Sequence, residues 1–294
     1  MKEMDHNLKK IGLLTCSRFP DLYGQDQLLL KEFLNKGYDV YPVIWDDPNF
    51  NAEEWQCLIF RNTWDYFEKK EAFLDFINRL AEMKVFTLNS LSVIQKNLHK
   101  FYLREMEEAG VQIVPTIFVP AGSTDDLVKL IPQSWKKVVV KPAFSAGAFE
   151  TRTYDFDAFA HMNDDYQQLL KSDDLLLQLF MEEILTQGEV SFVYFDKTFS
   201  HSVQKVPKEG DFRVQSLFGG AYHPYTASAE ILAKAQSIVD GIPEPVLYAR
   251  VDGIVINNEF YLMEVELTEP DLYFELGANS LLKFVEAFQS LVKF

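Results

Sequence analysis

The sequence predicts an α/β fold that becomes α+β in its second half. Up to Asn89, apolar strand-like runs alternate with segments of helical period, the pattern of a parallel sheet with helices on its faces. Further along, hairpins replace crossovers: Glu189–Phe195 pairs with Phe199–Val206 around Asp196-Lys197, and the stretch 248–273 folds back around Asn257-Asn258. With 294 residues, 48% of them hydrophobic, the chain has material for two or three subdomains.

The elements follow in order. Lys10–Cys16 (K-I-G-L-L-T-C) is a buried strand, and Gln25–Asn35 is a helix stopped by Gly37. Strands are expected at Tyr38–Trp45, Cys57–Arg61 and Val85–Asn89, with a helix over Glu68–Glu82. In such sheets ligands bind beyond the carboxyl ends of the strands. There the chain places Arg61, Thr63 and Asp65, polar groups able to orient a small zwitterion. Arg61 either grips a carboxylate bidentately or forms an ion pair with Asp46, Asp47 or Asp65; both readings stand. A single helix over Leu91–Ala109, ended by Gly110, turns Ile94, Leu98, Phe101 and Met106 inward and leaves Lys100 on its solvated side.

Val111–Val119 and Lys136–Lys141 read as strands around a short helix at Asp125–Ile131. Lys141 opens the loop K-P-A-F-S-A-G-A-F-E-T, where Pro142 ends the strand. The small residues Ser145, Ala146, Gly147 and Ala148 let backbone N–H groups approach an anion, with Lys141 as the adjoining charge, although an ordinary turn has the same composition. Thr151–Tyr154 is a strand, Asp157–Leu170 a helix, and Leu175–Phe180 a buried strand opening into Met181-Glu182-Glu183. A strand end of this kind supplies the apolar wall and free backbone groups that an adenine ring needs, and a plain core strand reads the same way. The segment 205–222 gathers Lys205, Lys208 and Arg213 beside Gly219-Gly220, a local positive region suited to polyphosphate. Ser228–Asp240 and Leu276–Val292 are helices.

The hairpin 248–273 organises the rest. Alternation assigns Val251, Val255, Tyr261, Met263, Val265 and Leu267 to a core face, and Arg250, Asp252, Ile254, Leu262, Glu264 and Glu266 to the other. Glu264 and Glu266 point the same way; Asp252 joins them only if an odd loop or a bulge sets the register. Three carboxylates on one surface repel one another and suit a hard cation such as Mg²⁺, which takes its remaining ligands from phosphate and water; a solvated acidic face is the alternative.

The formal net charge of -16 argues against a nucleic-acid surface and against anionic membranes, so a polyanion site has to be a local basic pocket. Cys16 and Cys57 follow no metal spacing and are expected as buried thiols of a cytoplasmic protein. The charged residues before Lys10 do not resemble a signal peptide, and no apolar stretch spans a bilayer. The five histidines are scattered, with no Ser-His-Asp or Cys-His arrangement; His201 and His223 are expected as spectators near the site.

Taken in order, the lysine, the small-residue loop, the Gln-Leu-Phe strand, the basic Gly-Gly segment and the carboxylate hairpin resemble an ATP-grasp enzyme over nearly the full length. The resemblance is to the glutathione-synthetase-like branch, and within it to the group containing the O-ureido-serine cyclo-ligase of cycloserine biosynthesis. The closer match rests on W-D-D-P (45–48), R-N-T-W-D-Y (61–66), K-V-P-K-E-G-D-F-R-V-Q (205–215), Y-A-R-V-D-G (248–253) and M-E-V-E-L-T-E-P (263–270). It implies an ATP-grasp fold: an N-terminal parallel α/β domain (1–95), a small subdomain (96–180) and a C-terminal subdomain (181–294) that together enclose the nucleotide. It further implies that Lys100 and Lys141 hold the nucleotide phosphates and that Ser145–Ala148 covers them. Gln178, Phe180 and Met181 would face adenine, and Glu189 the ribose. Arg213 and Lys205 would serve the transferring phosphoryl group, and Asp252, Glu264 and Glu266 would hold two Mg²⁺ ions. Glutathione synthetase has asparagine at the position of Glu266, and glycine is usual where Ala148 stands.

The activity so implied is ATP-dependent carboxylate–amine ligation, or intramolecular cyclisation, through an acyl phosphate, with homodimers usual among relatives. Arg61, Asp65 and Arg250, with Thr63, Gly219 and Gly220, point to an amino-acid-like small-molecule substrate. Two other readings stand beside it: phosphate transfer to a hydroxyl by a kinase of the same fold, and a nucleotide-binding module without catalysis.

Overall fold

A computed structural model describes residues 10–215 and 218–292. The segment before Lys10, including His6, and Ser216-Leu217 of the basic segment lie outside the described residues.

Three sheets follow one another along the chain. The first contains β1 (Lys10–Thr15), β2 (Asp39–Ile44), β3 (Cys57–Asn62) and β4 (Thr87–Leu88), in the order β2-β1-β3-β4. Every pairing in it is parallel, as the strand–helix alternation requires. β1 and β3 are almost wholly buried, which is why they read as unbroken apolar runs rather than alternating ones. The second sheet contains β5 (Thr116–Val119), β6 (Lys137–Pro142), β7 (Arg152–Asp155) and β8 (Leu175–Leu179), in the order β5-β8-β6-β7, all antiparallel. The third contains β9 (Glu189–Phe195), β10 (Thr198–Val206), β11 (Ala221–Pro224), β12 (Tyr248–Ile256) and β13 (Glu259–Glu266), in the antiparallel order β11-β10-β9-β12-β13.

The first and third sheets share a core. Ile11 and Phe33 pack in one cluster with Phe195, Tyr248, Phe284 and Phe288, so the closing helix Ser280–Leu291 seals the N-terminal sheet. The second sheet has its own core around Leu127, Trp135, Phe159 and Leu177. Cys16 and Cys57 are free and buried. No helix among the described residues is long and apolar enough to cross a membrane.

Several expected elements are shorter or divided. The strand expected over Val111–Val119 begins only at Thr116, because Pro115 has no N–H to donate to a ladder. The helix expected at Asp157–Leu170 divides into Phe156–Ala160 and Asn163–Leu169. The helix expected over Leu91–Ala109 divides as well, into Leu91–Asn97 and Tyr102–Glu108. Between its halves the Lys100 N–H donates to Ala143 O at 2.9 Å, a contact that ties the break to the end of β6.

Candidate active site

The third sheet supplies the acids. Arg250 pairs with Glu266 and Asp252 with Glu264, and the register shifts between Asp252 and Gly253. Asn257 and Asn258 form the turn at φ 51° and 63°, so a two-residue turn and a bulge coexist. Met263 is the extra residue of the bulge. A side chain at Gly253 would meet Tyr261 O at 2.4 Å, so only glycine lets the two strands close there. The bulge reverses three face assignments, since Tyr261, expected in the core, pairs with Ile254 on the cavity side between the core residues Phe260 and Leu262. Leu262, expected among the acids, packs in the core with Val251 and Val265, while Met263, expected in the core, lines the cavity beside Ile254. Met263 and Glu264 therefore share a side although they are consecutive, and Asp252, Glu264 and Glu266 all line one cavity.

Protein cations already offset these charges. Asp252 accepts from Arg250 Nη2 at 2.8 Å, Lys205 Nζ at 3.1 Å and Ser191 Oγ at 2.7 Å. Burial pushes its carboxyl up, but Arg250 and Lys205 outweigh burial and hold it well below the usual carboxylate range. Glu264 lies 2.8 Å from Lys100 Nζ, and Glu266 pairs with Arg250. Burial pushes the Glu266 carboxyl up to about 8 against the pull of Arg250. Among the described residues no three His, Cys, Asp or Glu side chains converge as a ready-made metal cage. Mg²⁺ needs none, since one or two carboxylates with phosphate and water suffice. Glu264 and Glu266 fit that use best. They keep 29% and 27% of their side-chain surface open, against 4% for the enclosed Asp252.

The helix break turns Lys100 inward. Its Nζ donates to Ser145 O at 2.6 Å and it is 6% exposed, so the solvated position expected from a continuous helix does not occur. Lys141 is equally enclosed and donates to Gln178 Oε1 at 3.3 Å; Gln178 is held in turn on Thr116 Oγ1 at 2.9 Å. Burial lowers the Lys141 ammonium to about 8, with Lys100 adding to the effect and Glu264 and Glu189 opposing it. A polyphosphate bound beside Lys141 would be favoured by its protonated form, a contribution full well below about pH 8 and lost as pH rises past it. Mg²⁺–nucleotide affinity measured by calorimetry from pH 7 to 9.5 is expected to fall by up to about tenfold per unit above pH 8. Lys141→Arg keeps its charge and should flatten that fall; an identical profile in the variant removes Lys141 as the titrating group.

Ser145, Ala146, Gly147 and Ala148 line the same cavity, as do Phe180, Met181 and Glu189. Ala148 adopts φ 61°, a left-handed conformation more usual for glycine. Glu189 pairs with Lys205, which draws Lys205 into the acid cluster. Arg213 also faces the cavity, paired with Asp211 at 2.8 Å and stacked 3.7 Å from the Phe218 ring centroid. Gly219 and Gly220 stand behind the lining: a β-carbon on Gly220 would lie 2.0 Å from Val214 O. They shape a turn instead of contacting the cavity. His201 is buried on Leu272 O, a structural role.

Three expected substrate contacts from the first sheet do not reach the cavity. Arg61 is fully buried and pairs with Asp26 (Nε–Oδ1 2.7 Å), a partner absent from the expected set, and its Nη2 donates to Pro270 O at 2.9 Å. Thr63 is buried behind the wall, and Asp65 accepts from Trp45 Nε1 at 2.8 Å and Lys69 Nζ at 2.7 Å. The strand end instead presents Trp64, Tyr66 and Phe67, with Arg18, Phe19 and Tyr23 alongside. Glu269 and Asp271, which sequence reasoning missed, complete this end. Both follow the last strand, where two-residue periodicity no longer applies; their nearness to the Glu264–Glu266 pair was the available signal. Burial pushes the Glu269 carboxyl up to about 7, with Lys100 opposing and Glu264 reinforcing.

Together these groups line a cavity of about 500 Å³ at which all three sheets meet. Residues 11–89 match the family described as the N-terminal domain of D-cycloserine synthetase. A cycloserine biosynthesis protein of Streptomyces lavendulae is 24% identical over 266 residues, 85% of this chain and 87% of that protein. The crystal structure of D-cycloserine synthetase superposes with a TM-score of 0.84 at 22% identity, covering 97% of this chain and 100% of that one. The ATP-grasp ligase PsnB, solved with a phosphomimetic precursor, Mg and ADP, superposes at 0.66 with 14% identity, covering 97% and 100%. The chain has the ATP-grasp fold. Within the ATP-grasp group its similarity runs toward the cycloserine type, in the N-terminal domain and along most of the chain. The long coverage places the ATP-grasp architecture across all three sheets, not in the N-terminal sheet alone.

Proposed function

We propose that this chain is an ATP-dependent ligase joining a carboxylate to a nitrogen of an amino-acid-like substrate. The observation that carries this reading is the gathering of Lys100, Lys141 and Arg213 with Asp252, Glu264 and Glu266 in the lining of one cavity. A substrate carboxylate oxygen bonds to the γ-phosphorus of ATP, the bond to the bridging oxygen breaks, and ADP leaves with that electron pair. The resulting acyl phosphate is attacked at carbon by the nitrogen. Phosphate departs, and the nitrogen loses a proton to solvent. Lys141 and Lys100 neutralise the phosphates, while Arg213 offsets charge on the transferring group with Lys205 nearby. Bound Mg²⁺, one ion or two, would supply Lewis-acid charge neutralisation from Glu264 and Glu266, with Asp252 adjoining. No protein nucleophile is needed.

Phe180 and Met181 suit the adenine, Glu189 the ribose, and Arg250 a substrate carboxylate. The division at 95 and 180, a cytoplasmic location and a homodimer complete the proposal. The names of the relatives make ring closure within one molecule the first form of the chemistry to test. A screen of amino acids and O-substituted serines for ATP-dependent phosphate release is expected to yield a substrate and an amide or ring product. A stable phosphorylated compound would establish a kinase instead, and nucleotide binding without turnover across the screen would end the ligase reading.

A further inference from the structure

The segment following the last strand is pinned carbonyl by carbonyl. Tyr248 OH shares its proton between Thr268 O at 2.8 Å and Phe60 O at 2.7 Å, Trp64 Nε1 donates to Glu269 O at 2.9 Å, Arg61 Nη2 to Pro270 O at 2.9 Å, and Arg250 Nη1 to Asp271 O at 2.9 Å. Four consecutive carbonyls are each anchored by a different side chain, which makes residues 268–271 a rigid shelf. On it the Glu269 side chain lines the cavity while only 8% of the residue is exposed. Tyr66 lines the same end of the cavity and favours the ionised form of this carboxyl.

Asp252, Glu264, Glu266 and Glu189 all have cationic partners, whereas Glu269 has no ion pair among the described residues. Lys100, the cation that acts most strongly on it, is engaged with Glu264. A desolvated carboxylate with no ion pair among the described residues, held on a rigid shelf in a cavity also lined by Tyr66 and Trp64, is a receptor for a ligand cation. Such preorganisation has no structural purpose here, because the shelf is held through its backbone and not through the Glu269 side chain.

We infer that Glu269 is the specificity residue that receives the substrate's ammonium group, with Tyr66 orienting the carboxylate and Trp64 fixing the backbone beneath it. This rests on the ligase reading for the identity of the substrate. It puts the cationic group of the amino-acid-like substrate at the aromatic end of the cavity, where Tyr66 packs on Phe144 and Phe67 on Phe149. The shelf, and not the strand-end residues Arg61, Thr63 and Asp65, thereby becomes the substrate-reading element.

The test uses the full chain with Mg²⁺ and a non-hydrolysable ATP analogue. Calorimetry compares the best O-substituted serine from the screen, or serine itself if none turns over, with the same compound bearing hydrogen in place of the amine. Wild type is expected to bind the amine at least about tenfold more tightly, as one charge-assisted hydrogen bond supplies. In Glu269→Gln that ratio should fall to about threefold or less, with nucleotide affinity unchanged. Tyr66→Phe, which leaves the carboxylate in place, should give an intermediate ratio and serves if the first variant does not fold. A wild type without amine preference, or an unchanged ratio in a folded Glu269→Gln that binds nucleotide, overturns the inference. Failure of the ligase reading shows separately, as absence of phosphate release while the amine preference persists.

Discussion

Replacing Glu264 by glutamine is expected to cut Mg²⁺-dependent ADP formation by at least about 100-fold, the scale on which loss of one charge-stabilising group acts in a transition state. Glutamine matches glutamate in shape and retains an oxygen that can accept from Lys100, which lies 2.8 Å away in the native protein. The side chain is 29% exposed and the glutamine oxygen still accepts from Lys100, so the cost of leaving that buried ammonium without a counter-charge is limited. A large loss of activity with only a small fall in melting midpoint is therefore the expected combination. The measurement is ADP release at saturating ATP with the substrate found in the screen, repeated over a range of Mg²⁺ concentrations. A rise in the Mg²⁺ requirement places the defect at metal ligation. Full turnover at ordinary Mg²⁺ would remove Glu264 from the metal site.

Arg61→Met is expected to have the largest effect on stability, about 3–5 kcal/mol, although Arg61 touches no cavity. The substitution leaves Asp26, 5% exposed, without its ion-pair partner, and Pro270 O without its donor. The guanidinium also lies 5.2 Å from the Tyr248 ring centroid, a contact that methionine replaces only in part. Asn62 Nδ2 still donates to Asp26 Oδ2 at 2.9 Å, so the acid keeps one hydrogen bond but no counter-charge. Urea unfolding is the measurement. Adding Asp26→Leu should recover most of the loss, since a buried pair replaced whole by apolar groups costs little. A cost below about 1 kcal/mol for Arg61→Met alone would show that the pair is not structural.

These two variants separate residues that stood close together in the sequence reading. Both Arg61 and Glu264 are charged residues on predicted strands. Strand periodicity gives which side a residue takes, not what lies opposite it. Arg61 meets Asp26, which sits in the first turn of the helix Asp26–Asn35, and no pattern within β3 announces that partner. Lys100 shows the converse. A helical wheel exposes it, and the break between Leu91–Asn97 and Tyr102–Glu108 carries it inward. That break is secured by the distant Ala143 O, so it is a tertiary event.

By itself the sequence determined the alternating parallel sheet at the start, the paired antiparallel strands after it, and the conjunction of lysines, small-residue loop and acidic hairpin that resembles an ATP-grasp enzyme. Those properties live in local pattern: burial on both faces, turn chemistry and side-chain period. Only the tertiary structure decided that a bulge at Met263 gathers Asp252 with Glu264 and Glu266, that Arg250, Lys205 and Lys100 counter their charges, and that Glu269 stands on a pinned shelf with no ion pair among the described residues. The reason is that charge pairing and cavity lining depend on which surfaces meet across hundreds of residues, and a one-residue change in register redirects every side chain beyond it.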